Sequence, residues 1–162
     1  MGDTPREAAS VRNRRRFWLV LGLVLLCGTV AVITMWPQPV DQGSRGRIAE
    51  LLDALHGLGV PAWFGYAQLE VLANVAMFAP LGLALGLLLP ARRVWLAAVL
   101  LPLCSIAIEL TQLWFLPARF ATVSDVIANS VGAWIGIGIA ALLRRLCARQ
   151  RAVSAARSTP LP

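Results

Sequence analysis

The chain has 162 residues, the length of one ordinary domain. Hydrophobic residues make up 58% of it and charged residues only 14%, with a mean hydropathy of +0.70. A soluble domain carries roughly 25% charged residues, so these figures exclude one, and they exclude a disordered chain as well.

The first sixteen residues form a basic tail that ends in Arg12, Arg14, Arg15 and Arg16. Phe17 to Trp36 then runs for twenty residues without a charge. At about 1.5 Å per helical residue that length matches the roughly 30 Å hydrocarbon layer of a membrane. The run is too long for the core of a signal peptide, and no small-x-small cleavage pattern follows it. Leu26 stands before Cys27 where a lipidation site needs a small residue. We therefore expect a retained membrane helix.

Pro37 to Leu69 is the long connection. Within it, Ile48 to Leu55 places apolar residues at helical spacing with Glu50 and Asp53 between them, the pattern of a short amphipathic helix on a membrane surface. Gly57, Gly59 and Pro61 should end that helix. Trp63, Phe64 and Tyr66 follow, as expected where a chain passes the water–lipid boundary; a substrate-facing aromatic lip is the alternative. Three further spans follow: Val71 to Leu89, closed by Pro90; Val94 to Leu116, whose one charge is Glu109; and Val126 to Leu143. The expected fold is all-α, a polytopic bundle of four transmembrane helices over residues 17–145. The segments Met1 to Asn13 and 146–162 are expected to be disordered.

All 15 positive residues are arginines, set against 8 acids, for a net charge of +7. Twelve of them lie before the first span, between the second and third, or after the fourth. Only Arg45, Arg47 and Arg119 lie on the other side. By the positive-inside rule both termini are cytoplasmic. The charge is thus a topology signal and implies no nucleic-acid partner, because the arginines flank spans rather than form a stripe. The expected location is the bacterial cytoplasmic membrane, with the lipid bilayer as the first partner and a homo-oligomer left open.

Cys27 and Cys104 lie in spans and Cys147 beyond the last one, so no disulfide is expected. His56 is alone on a solvated loop, which leaves no zinc site. No phosphate-binding or dinucleotide-binding glycine loop is present, and neither a metal nor a cofactor is implied.

The informative residues are the polar ones inside apolar helices. A charge within a span costs at least about 2.5–3.5 kcal/mol, and such groups face the bundle or a wet cavity. Glu70 and Asn74 are four apart on the second span, Glu109 and Gln112 three apart on the third, and Asp125 and Asn129 four apart at the start of the fourth. Each pair shares a helix face. Glu109 lies roughly 10 Å below the outer end of its helix at 1.5 Å per residue. Arg119 occupies the short loop between the third and fourth spans. Glu70, Asn74, Glu109, Gln112, Arg119, Asp125 and Asn129 are therefore the candidate binding residues, gathered in the outer half of the bundle. Each also has a plainer reading. Asp125, or Ser124 before it, caps the fourth span; the amides are interhelical hydrogen-bond glue; Arg119 neutralises an acid. Glu109, the deepest acid, is hardest to explain in that way.

Two packing devices accompany them. Gly82 and Gly86, and Gly132 and Gly136, form small-xxx-small pairs that permit close helix approach. Pro80 and Pro102 interrupt spans, and neighbours or water must satisfy the carbonyls they free.

Read in order, the polar residues resemble a known family. Glu70-Val71-Leu72-Ala73-Asn74-Val75-Ala76-Met77-Phe78-Ala79-Pro80-Leu81-Gly82 is similar to the E-x-x-x-N-x-x-x-F-x-P-x-G signature of the VanZ-like membrane proteins. Glu109-Leu110-Thr111-Gln112 resembles that family's E-x-x-Q pair, and Arg119 followed by Asp125 to Gly132 resembles its R…D-x-x-x-N-x-x-G end. The likeness covers about residues 64–145. It implies a four-helix membrane bundle in the bacterial envelope. Through the family's namesake it also implies a link to resistance against the glycopeptide teicoplanin. It names no reaction.

Three kinds of function fit these residues. One is a protein that binds or modulates a lipid-linked, anionic or glycopeptide-type envelope ligand, with Arg119 on a phosphate or carboxylate and the amides orienting it. Another is a membrane enzyme acting on a lipid-linked substrate, with Glu109 and Asp125 as catalytic candidates and Arg119 stabilising charge. The third is a small transporter, disfavoured by the apolar inner halves of the last three spans.

Overall fold

The structure is a computed structural model that describes residues 5–36, 42–116 and 122–158. It contains α1 (Pro5–Met35), α2 (Arg45–Gly57), α3 (Tyr66–Leu88), α4 (Val94–Phe115) and α5 (Val123–Ser158), with 3-10 turns at Gln42–Ser44 and Ala91–Arg93 and no strand among the described residues. Four helices, α1, α3, α4 and α5, are long and apolar enough to cross a membrane. The helices reach further than the apolar runs. α1 begins at Pro5 and α5 continues to Ser158, into segments whose composition suggests disorder. Alanine and arginine, both good helix formers, fill the extension of α5 and let the preformed helix propagate.

α3 and α5 form the centre of the bundle, and glycine is the reason. A β-carbon on Gly82 would run into the backbone of Ala133, and one on Gly132 into the backbone of Val75. One on Gly136 would strike the Ala79 carbonyl and lie 2.6 Å from the Leu83 nitrogen, and one on Gly86 would lie 2.6 Å from the Ala140 β-carbon. The two small-xxx-small pairs thus face each other. The pairing rises together along both helices, from Val75 opposite Gly132 to Gly86 opposite Ala140, so α3 and α5 run parallel. α4 connects them and runs the other way.

Proline's missing N–H is compensated within α4. Pro102 cannot donate to the carbonyl four residues before it, that of Ala98. The Trp134 indole N–H of α5 donates to the Ala98 carbonyl at 3.0 Å instead. Further along α5, Arg144 donates to the carbonyls of Leu87 and Leu89, where α3 ends. A cation at a helix C-terminus meets both its unpaired carbonyls and its partial negative charge.

The apolar core gathers Val30 of α1, Phe78 and Leu81 of α3, Leu101 of α4 and Ala133 of α5. α1 is the least enclosed span: 11% of its apolar window is buried, against 39% for α5. α2 buries no residue. It ends as its glycines predict, with Gly59 at φ +97°, Gly59 N–H donating to the His56 carbonyl and Val60 N–H to the Leu55 carbonyl. His56 belongs to the last turn of α2 rather than to a solvated loop, and its Nε2 lies 2.8 Å from the Phe64 carbonyl oxygen. That bond ties α2 to the aromatic segment preceding α3.

Candidate functional site

The start of α3, the end of α4 and the start of α5 meet at one end of the bundle. The parallel α3–α5 pairing and the antiparallel α4 require this. Asn74 Nδ2 donates to Asp125 Oδ1 at 2.6 Å and joins α3 to α5. One turn deeper along α5, Asn129 Nδ2 donates to Ser105 Oγ of α4 at 2.9 Å. Glu109 Oε2 accepts the Thr122 backbone N–H at 3.0 Å and joins α4 to the head of α5. Gln112 Nε2 donates to the Thr34 carbonyl of α1 at 2.8 Å. Thr34 lies in the last turn of α1, whose carbonyls have no partner within the helix, so Gln112 satisfies one of them.

The head of α5 departs from the expected cap. Thr122 caps the helix, since its Oγ1 accepts the Asp125 N–H at 3.1 Å. In a capping box the residue at Asp125's place would reach back to the Thr122 N–H. Here Glu109 of the neighbouring helix takes that N–H, and Asp125 turns across to Asn74. Exchanging the carboxylates ties three helices together, and both acids stay near the positive end of α5. The spacing Thr122-Val123-Ser124-Asp125 was the available signal for Thr122, and an i, i+4 relation to Glu109 was the signal for Ser105. Neither residue stood out among the candidates.

Burial separates the candidates. Asn129 is 2% exposed, Gln112 5%, Glu109 9%, and Ser105 is fully enclosed. Asn74 and Asp125 are half-buried, and Glu70 is exposed one turn before Asn74 on α3. Arg119 lies outside the described residues. Asn129 Oδ1 is a buried acceptor with no hydrogen-bond partner. A buried unpaired acceptor costs about 1–3 kcal/mol, which is why nearly all such atoms are satisfied. The described polar atoms form a ladder from the bundle end (Asn74, Asp125, Glu109) inward to Ser105 and Asn129, unsatisfied at its deepest point. No group of three or more His, Cys, Asp or Glu residues that could hold a metal occurs among the described residues.

No curated protein and no solved structure matches the chain. The model of the VanZ/LLP1 family matches residues 17–144, from the first residue of the first apolar run to the arginine that closes α3. That stretch takes in all four spans, the polar ladder and the glycine seam, and by it the chain belongs to the VanZ/LLP1 family.

Proposed function

We propose that this protein binds, or modulates the handling of, a lipid-linked ligand of the bacterial cell envelope through the polar end of its bundle. In this reading it lies in the cytoplasmic membrane with both termini inside, so the polar end faces outward. Asn74, Glu109, Gln112, Asp125 and Asn129 shape the site, Glu70 lies at its rim, and Arg119 engages a phosphate or carboxylate on the ligand. The supporting observation is the buried Asn129 Oδ1 without a partner, set among polar side chains from three apolar helices. A hydroxyl or amine of the ligand supplies the missing donor. The link to glycopeptide resistance is a further part of this reading, and teicoplanin is the probe for it.

Titration of the purified protein with a polyprenyl-phosphate-linked sugar tests the reading. Asn129→Ala should weaken binding tenfold or more, the loss of roughly 1.4 kcal/mol expected for one buried hydrogen bond. Equal affinity in the variant, with its thermal stability retained, removes Asn129 from the site and the reading with it. Orientation has its own measurement. A cysteine placed at Gly43 should react with a membrane-impermeant thiol reagent on intact cells, and labelling only after lysis would move the polar end to the cytoplasm.

A further inference from the structure

An apolar groove of about 200 Å³ lies between α1, α3 and α4. Its floor is Phe78 and Leu81, and its walls are Val30 and Leu101. Exposed Cys27 of α1 and Cys104 of α4 stand at its mouth, so it opens outside the bundle. Thr34, the one hydroxyl on its wall, donates to the Val30 carbonyl at 2.8 Å and makes no polar demand on an occupant. A cavity without polar partners does not hold water. Every wall belongs to a helix that can span the membrane, so the surrounding medium is hydrocarbon.

The groove adjoins the polar site across α4. Leu101, Cys104 and Ile108 line it, while Ser105 and Glu109, the residues next in register, turn to α5. Its upper limit is the Gln112–Thr34 bond, one turn from Glu109. From Cys27 to Met35 it follows α1 for roughly 12 Å at 1.5 Å per residue. The groove thus begins beside the polar ladder and leads toward the membrane midplane.

We propose that this groove holds the hydrocarbon chain of the lipid-linked ligand whose polar end occupies the site. The inference rests on the function proposed above, and it makes that ligand an amphiphile recognised at both ends. Seating the chain beside Phe78 and Leu101 keeps the headgroup against the polar ladder, and the lightly enclosed α1 supplies the lateral entrance.

Two probes differing only in chain length, ethyl phosphate, too short to reach along the groove, and geranyl phosphate, whose chain is about as long as the groove, test this against wild type, Cys104→Trp, Ala31→Leu and Asn129→Ala. Cys104→Trp fills the mouth, and Ala31→Leu is the milder filling should the tryptophan variant fail to fold. Wild type should prefer the long probe by tenfold or more. The filled variants should lose that preference while binding the short probe as wild type does. Asn129→Ala should weaken both probes equally. A photoreactive group at the chain end should label the facing sides of α1 and α4 rather than lipid-facing Trp95 or Leu113. Filled variants that keep the full preference, or labelling spread over the lipid-facing residues, overturn the groove assignment. An unchanged Asn129→Ala would instead overturn the polar-site reading and leave the groove result standing on its own.

Discussion

Gly136→Ala adds one methyl group at one of the tightest points of the α3–α5 seam. Its β-carbon would press on the Ala79 carbonyl and lie 2.6 Å from the Leu83 nitrogen, where ordinary contact begins at 3.4 Å. Both obstacles are backbone, so no rotamer change relieves them, and the helices must part by at least about 0.8 Å, the carbonyl demanding more than the nitrogen. A gap of 0.5–1 Å forfeits a quarter to a half of each dispersion contact across it. Overpacking of this kind costs typically 1–3 kcal/mol, and the central interface should sit at the upper end, about 3 kcal/mol. At roughly 2–4 °C per kcal/mol for a chain of this size, the melting temperature should fall by about 6–12 °C. Thermal unfolding in detergent, followed by loss of the monodisperse elution peak, reads this out. Gly138→Ala supplies the control on the same helix. It meets nothing within 4 Å, and replacing a helical glycine by alanine should leave stability unchanged or raise it by up to about 1 kcal/mol. If both variants melt alike, close packing at Gly136 does not hold α3 against α5, and the parallel seam described above is wrong.

Trp134→Phe removes the donor to Ala98 and should cost about 1 kcal/mol, but much less when Pro102→Ala restores the helix's own N–H to that carbonyl. Equal cost in the two backgrounds, measured as a double-mutant cycle of melting temperatures, would show that the indole bond does not compensate the proline. Thr122→Ala should cost about 1 kcal/mol by uncapping α5, and Thr122→Ser should recover most of it, since either hydroxyl accepts the Asp125 N–H. A serine variant as unstable as the alanine one would point to the methyl group rather than the cap.

The polar site was partly legible in the sequence because helices repeat. Spacings of three and four place Glu109 with Gln112 and Asp125 with Asn129 on shared faces, and a polar group in an apolar span stands out without any structure. Spacing says nothing about which side chain meets which. Asp125 at the head of a helix reads as a cap, yet the cap is Thr122, and Asp125 bonds Asn74 across the bundle. Gln112 belongs by periodicity with Glu109, but its amide closes the end of α1. His56 reads as a loop residue and is held in the last turn of α2 by the Phe64 carbonyl.

By itself the sequence determined that this protein has four membrane-spanning helices, because hydrocarbon tolerates only long apolar segments whose backbone is satisfied within the helix. It also determined which residues are out of place in them. Tertiary structure decided the partners. The two glycine pairs are commonplace patterns in any apolar helix. Only their facing each other makes α3 and α5 parallel neighbours and brings Asn74 to Asp125. Only the packing of α4 against that pair leaves Asn129 with an unpaired oxygen and a groove beside α1. Each span satisfies most of its own backbone, so local sequence decides that it is a helix. Which faces meet depends on side chains far apart in the chain, and no local pattern records that.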